Sequence, residues 1–283
     1  MPVSSLRSVL SPAFDLRYGV PAFNVVNDLT MQAVVDAAVE ARAPVIVQTS
    51  VKTVRAAGAA VLAGLHRAIA ERAPVPVVLH LDHCQDRAVV TECVRHGWNS
   101  VLFDGSGLDL AECTRQTREV VAEAHASGVD VEGEIEGIKG VEDDVGSDLD
   151  TGVYSIDSSV EFIKATGIDC FAPAIGNAHG MYRSTPTLDA ERVTQIVARA
   201  GIPIALHGGS GLTEAQFGDL VSRGCAKVNV STALKQAFLG SNRAYLADNP
   251  GVTEPLRLLG HVRQAVKEMA LYHISSVGAA GRA

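Results

Sequence analysis

Eight short apolar runs punctuate the chain, at residues 21–25, 44–48, 75–79, 100–104, 129–134, 170–175, 203–207 and 226–230, and most are followed by a stretch of helical periodicity. An apolar run closed by Gly, Ser or Asp reads as a buried parallel strand reaching its C-terminal end. Residues 30–40 are one of the intervening patterns and predict a helix opened by the capping threonine Thr30. Strands alternating with helices pair in parallel through right-handed crossovers. Eight such units in about 230 residues predict an α/β fold, the (β/α)8 TIM barrel. A doubly wound open sheet is the competing architecture, but it usually has fewer strands and a Gly-rich turn after the first, which is absent here. No repeat, low-complexity tract or composition break divides residues 1–283, so a single barrel domain is expected. From about Gly240 the pattern predicts extra C-terminal helices, one of them starting at Glu254-Pro255.

A barrel collects the C-terminal ends of its strands on one face, where active sites are built. Those ends are rich in polar and ionisable groups: Asp82 and His83, Asp104, Glu132 and Glu134, His179, His207 and Asn229. Imidazole is the commonest metal ligand, and three imidazoles leave zinc one open position for substrate. His83, His179 and His207 are therefore the candidate ligands of a zinc ion. Asp104 and Glu134 could hold the metal in an alternate position, orient its ligands, or simply cap the helices that follow. Asp82, next to a ligand, is placed to exchange a proton with substrate. Period two puts His80 on the face opposite His83, between barrel and helices. His66, His96, His125, His261 and His273 fall in helical or loop patterns and are expected at the surface.

Two segments look like a phosphate cradle. Gly208, Gly209 and Ser210 offer bare backbone amides after the seventh strand, and Asn229, Val230, Ser231 and Thr232 end the eighth strand and open a helix. Barrels commonly bind phosphate with these two loops and a helix N-terminus. Residues 137–146, glycine-containing and acidic, are expected to form a mobile loop over the mouth.

Bulk composition narrows the partners. A net charge of −8 without a dense Lys/Arg cluster argues against nucleic acid, although local amides can still bind a phosphate. The N-terminal residues lack a signal-peptide apolar core, and no apolar stretch is long enough for a membrane. Five cysteines without CxxC spacing fit buried thiols in a reducing cytoplasm. Cys84, beside His83, reads as a small core residue rather than a ligand.

These motifs, in order, resemble the class II, metal-dependent ketose-bisphosphate aldolases, closest to the tagatose- and fructose-bisphosphate branch. The resemblance runs nearly end to end, through residues 21–24, 81–83, 131–134, 142–144, 179–182, 206–212 and 227–232 to residues 281–283. It implies that His83, His179 and His207 bind the catalytic zinc, with Asp104 and Glu134 lining an alternate metal position. Asp82 would move the proton of the substrate C4 hydroxyl, and Glu142 would take the C3 proton of dihydroxyacetone phosphate. Asn24, Ser50, Gly180, Arg183, Gly208, Gly209, Ser210, Asn229, Val230, Ser231 and Thr232 would hold the ketose and its phosphate.

The implied reaction is reversible cleavage of a fructose- or tagatose-1,6-bisphosphate to dihydroxyacetone phosphate and glyceraldehyde 3-phosphate, with zinc stabilising the enediolate as a Lewis acid. A Schiff-base lysine is then not required, although Lys227 in strand eight could suggest one. A monovalent cation near the phosphate and a homodimer or homotetramer are also implied. The chain departs from the family at two places. Glu136 and Lys139 stand where relatives have a glycine-paired loop, and Leu256 stands where relatives carry an arginine that grips the distal phosphate. Arg257 lies one step, about 100° of helix, away. An aldolase for another ketose 1-phosphate or a related phosphosugar acid is therefore the alternative. A metal-dependent hydrolase barrel or a non-catalytic phosphosugar-binding barrel would use the same histidines or the same cradle.

Overall fold

The computed structural model describes residues 3–138, 140–142, 145–147, 152–180 and 186–283. Five parallel strands come first: β1 (Val20–Asn24), β2 (Val45–Ser50), β3 (Val77–Cys84), β4 (Ser100–Asp104) and β5 (Asp130–Glu134). A short antiparallel hairpin follows, β6 (Gly140–Glu142) with β7 (Val145–Ser147), overlapping the run 137–146 expected to form a mobile loop over the mouth. The strands β8 (Cys170–Ala172), β9 (Ile204–Leu206) and β10 (Cys225–Val230) complete a closed barrel in the order β1-β10-β9-β8-β5-β4-β3-β2, with every neighbour parallel. This is the predicted (β/α)8 barrel.

Eleven helices are found among the described residues. They are α1 (Leu6–Leu16), α2 (Asp28–Ala41), α3 (Val51–Ala57), α4 (Ala59–Ala70), α5 (Arg87–Arg95) and α6 (Leu110–Ala126), then α7 (Ile156–Thr166), α8 (Ala190–Ala200), α9 (Glu214–Arg223), α10 (Thr232–Asp248) and α11 (Pro255–Ser276). The cap of helix α2 lies three residues before the expected one. Asn27 is its N-cap, and Thr30 closes the capping box from the N3 position. Glu254 caps α11 as its side chain accepts from the Leu256 amide, and Pro255 fills the first turn, where no amide hydrogen is needed. None of the helices is long and apolar enough to cross a membrane, among the described residues.

Helix α1 buries Leu6, Val9, Leu10 and Ala13 against the inward residues Val20, Ala22, Ile46, Val78, Cys170, Ala172, Ala205 and Ala226. This apolar cluster seals the N-terminal end of the barrel. Arg7 fixes the plug from outside, pairing with Asp169 and donating its backbone amide to Asp130 at 2.7 Å. Outward-facing strand residues such as Val47, Leu79, Val101 and Phe171 pack with the helices in a second, larger core. Two helical histidines are buried in that shell rather than exposed as expected: His66 on α4 and His273 on α11. Their rings fill apolar space, with Phe23 and Phe217 set edge-on to His273.

Candidate active site

The upper half of the barrel interior is polar. Along β3, alternation turns His80 and Asp82 inward and Leu81 outward into the helix-facing core. Strict alternation would then send His83 outward. Instead His83 adopts a left-handed backbone, φ 43°, and the β3–β4 register shifts between Leu81 and Cys84. This irregularity aims two consecutive side chains, Asp82 and His83, into one mouth. It also corrects the placement of His80. Its ring lies inside the barrel, with Nδ1 2.8 Å from Ser100 Oγ and Nε2 3.6 Å from Glu132 Oε2.

His83, His179 and His207 meet at the mouth. Ring centroids are 4.8 Å apart for His83 and His179, 4.6 Å for His83 and His207, and 6.2 Å for His179 and His207. Each offers a nitrogen within 4.8 Å of the others' nitrogens, and His83, Asp104 and Glu134 form a second such group. Glu134 Oε2 lies 3.3 Å from His207 Nδ1 and 3.7 Å from His83 Nδ1, while Asp104 Oδ2 is 3.6 Å from His83 Nδ1. Both nitrogens of His83, Nδ1 of His207 and Oε2 of Glu134 are buried without a hydrogen-bond partner among the described residues. Buried polar atoms are rarely left so, and a shared cation would satisfy this cluster at once. The donor set fits zinc.

The electrostatics agree. Burial, reinforced by the neighbouring His83, holds His179 and His207 well below the usual histidine range, in the neutral form that binds metal. His83 goes the other way. Burial would lower it, but Asp82, Glu134 and Asp104 together raise it well above the ordinary value. Burial likewise opposes ionisation of Asp104, yet His83 and Ser106 outweigh it and hold this carboxyl low. Burial and the adjacent Asp104 push Glu134 up. Asp104 and Glu134 thus converge on His83, and a cation among them would take over the role that the raised imidazole plays.

A ring of buried hydrogen bonds supports these groups. His207 Nε2 donates to Glu132 Oε1 at 2.8 Å, which turns Nδ1 toward the cluster. Asn177 donates to the His207 carbonyl at 3.0 Å and accepts the Ile175 amide at 2.9 Å, bracing the loops after β8 and β9. Asp82 sits between two amides: Asn24 Nδ2 at 2.7 Å on Oδ2 and Asn229 Nδ2 at 3.3 Å on Oδ1. Burial would raise the Asp82 carboxyl, but His83, Lys227, His207 and the Asn24 amide bring it down. Asn24, expected on substrate, is thus engaged with Asp82. Lys227 Nζ donates to Asn229 Oδ1 and pairs with Glu132, so it is engaged within the barrel rather than aimed at substrate.

Gly208, Gly209, Ser210 and the N-terminus of α10 adjoin one another. The Gly209 amide donates to the Asn229 carbonyl at 2.9 Å, and a Cβ at Gly209 would meet that oxygen at 2.6 Å. Ser210 Oγ accepts the Ala233 amide at 3.1 Å. Ser231, the N-cap of α10, makes no side-chain cap, and its buried Oγ has no hydrogen-bond partner among the described residues. Val230 ends β10 fully buried, and Thr232 opens α10. Ser50 ends β2 and caps α3, its hydroxyl 3.4 Å from the Thr53 amide. Gly180 carries φ 94°, next to His179.

The hairpin after β5 lies against the site. Gly140 has φ 95°, and a Cβ there would meet the His179 carbonyl at 2.6 Å, so only glycine permits this approach. Glu142 ends β6, but its side chain lies outside the described residues, as do Lys139 and Arg183 in full. Glu136, which stands where relatives have a glycine-paired loop, is buried. It binds Arg192 Nη2 at 2.5 Å and the amides of Tyr154 and Ala174, each at 2.8 Å. Glu132, expected only as one of the polar strand ends, thus braces His207, while Gln48, Asn177 and the Glu136–Arg192 pair are functional residues that the sequence did not single out. The available signal was a charged residue in the middle of a strand of a parallel barrel, where an inward side chain must find a partner.

Comparison with known proteins agrees with this geometry. The YdjI aldolase of Escherichia coli K12 is 33% identical, with 99% of each chain covered and a TM-score of 0.87. The fructose-bisphosphate aldolase of Campylobacter jejuni, at 22% identity, shares the fold over 99% of this chain and 97% of its own, with a TM-score of 0.85. The profile of the family described as fructose-bisphosphate aldolase class-II matches residues 4–282. The chain belongs to that family and is a class II aldolase, a carbon–carbon lyase.

Proposed function

We propose that this aldolase reversibly cleaves a ketose 1,6-bisphosphate of the fructose or tagatose type to dihydroxyacetone phosphate and glyceraldehyde 3-phosphate. The observation that carries the reading is the meeting of His83, His179 and His207 beside an amide-clamped Asp82 and a glycine-lined helix N-terminus. His83, His179 and His207 would hold zinc, and Asp104 and Glu134 would line a second position for it. Bound there, zinc supplies Lewis-acid polarisation of the ketose oxygens.

The chain's own residues do the rest. Asp82, fixed by Asn24 and Asn229, takes the C4 hydroxyl proton as the bond breaks and returns it in the reverse direction. Glu142 exchanges the C3 proton of dihydroxyacetone phosphate. The amides of Gly208 and Ser210, with Ser231, Thr232 and the positive end of α10, receive the C1 phosphate, while Gly209, its amide held by the Asn229 carbonyl, lets the two loops approach. Gly180, Ser50, Val230 and Arg183 complete the substrate enclosure, with a monovalent cation near the phosphate. Helices α10 and α11 would extend into a homodimer or homotetramer, and the enzyme would work in the cytoplasm.

A second substrate, a ketose 1-phosphate or phosphosugar acid, is favoured by one observation: Leu256 in the first turn of α11 is 74% exposed where a distal phosphate would want a cation. Steady-state cleavage of fructose 1,6-bisphosphate, tagatose 1,6-bisphosphate and their 1-phosphates tests both. A kcat/KM at least tenfold higher for a bisphosphate supports the first reading, and equal or higher values for a 1-phosphate replace it with the second.

A further inference from the structure

Lys227 is fully buried inside the barrel, in the middle of β10, and the cleavage chemistry leaves it without a task. Its Nζ donates to Asn229 Oδ1 at 2.7 Å and lies 2.8 Å from Glu132 Oε2. Each contact reaches a different part of the site. An amide side chain has one donor end and one acceptor end, and an ammonium can only donate. By occupying Asn229 Oδ1, Lys227 turns Asn229 Nδ2 toward Asp82. Gln48 does the same for the opposite amide, donating to Asn24 Oδ1 at 2.7 Å and so presenting Asn24 Nδ2 to Asp82. On its other side Lys227 meets Glu132 Oε2, leaving Oε1 to accept from His207 Nε2. The proton on Nε2 keeps the Nδ1 lone pair of His207 pointing into the metal cluster.

We propose that Lys227 is a positioning residue that orients two separate groups: Asp82 through the Asn229 amide, and the ligand nitrogen of His207 through Glu132. A mere counter-charge for Glu132 would predict something different. The inference rests on the proposed metal-dependent cleavage. A wild-type enzyme that cleaves none of the ketose phosphates would sink that reading, while the zinc measurement below would still decide the His207 arm.

The test uses the full chain with Lys227→Met and with Lys227→Met combined with Glu132→Gln. Zinc affinity is read by competition with a chromophoric chelator, kcat and KM at saturating zinc, and folding by the thermal midpoint. Lys227→Met should weaken zinc binding by about 10- to 100-fold, as loss of groups that orient metal ligands does. It should lower kcat by at least about tenfold with KM changed less than about threefold, because Asp82 loses alignment while Lys227 touches only the side chain of Asn229 and not the backbone carbonyl that ties Gly209 in the cradle. It should also lower the thermal midpoint, since Glu132 is left buried and unpaired. The double variant removes that unpaired charge and should recover the midpoint while zinc affinity and kcat stay low. Should Lys227→Met fail to fold, the double variant carries the same two readouts. Recovery of wild-type kcat and zinc affinity in the double variant would reduce Lys227 to a counter-charge and overturn the proposal, as would unchanged values in Lys227→Met.

Discussion

The two ends of the barrel interior are lined by the same strands and obey opposite rules. At the N-terminal end, Val20, Ala22, Ile46, Val78 and Ala205 close on the apolar face of α1, and packing alone satisfies them. At the C-terminal end, Asn24, Gln48, His80, Asp82, Asp104, Glu132, Glu134, His207, Lys227 and Asn229 are just as buried. There each group needs a specific partner, because an unpaired buried polar atom costs more than its hydrogen bond returns. The lower half supplies stability and the upper half consumes it to hold chemistry in place. Among the described residues, unpartnered atoms on His83, His207, Glu134 and Ser231 lie where the proposed metal and phosphate would supply partners.

That division predicts opposite mutational signatures, the largest at the mouth. Asp82→Asn keeps the size of the group but removes its basicity. It should lower kcat by about 10²- to 10⁴-fold, with affinity for dihydroxyacetone phosphate, measured by calorimetry, within about threefold of wild type. Retained turnover would take Asp82 out of the proton path. At the other end, Ile46→Ala opens a cavity against α1 and should cost about 2–5 kcal/mol in denaturant unfolding, yet leave kcat unchanged below the transition. A loss of kcat without a loss of stability would erase the contrast between the two ends.

Acid sensitivity sharpens the comparison by adding the helical shell. Burial pulls His66 down to about 4, and its Nε2 finds no partner among the described residues. Its folded value lies below its unfolded one, so the unfolded chain binds the extra proton between about pH 6.5 and 4. Stability should therefore be unaffected above pH 6.5 and fall as pH drops toward 4, by an amount on the order of 3 kcal/mol. Denaturant titrations of His66→Leu should show a flatter acid limb than wild type, and an identical limb would remove His66 as its source. The smallest effect is expected at the phosphate cradle. Ser231→Ala should raise KM for the phosphorylated ketose by about tenfold, the worth of one hydrogen bond to a charged group, with kcat nearly constant. An unchanged KM would move the phosphate away from α10.

The eight strands were legible because each is a short apolar run ended by polar or small residues, and the barrel follows from their alternation with helices. The convergence of His83, His179 and His207 was legible for the same reason, since strand ends share one face. Helix α1 was not. It precedes the first strand, contains Pro12, and shows its purpose only when the open bottom of a barrel is present to be filled. His80 was misplaced by a sound rule, period two, because the left-handed turn at His83 is a backbone event that no residue type there announces. The hairpin at Gly140–Glu142 and Val145–Ser147 hides in an acidic, glycine-bearing segment with little apolar alternation. The burial of Glu136 was not legible because its partner, Arg192, lies 56 positions away. Such long-range pairs are fixed by topology, and local sequence carries no record of them.

One cation shared by three imidazoles is the centre of the proposed chemistry. Zinc-free protein should be titrated with zinc while metal-edge X-ray absorption and ketose-phosphate cleavage are followed together. The expected result is one zinc per chain with three imidazole nitrogens about 2.0–2.1 Å from the metal, turnover rising in step with occupancy, and both signals lost in His207→Ala. Full turnover by the metal-free protein, or zinc bound without imidazole ligation, would contradict it.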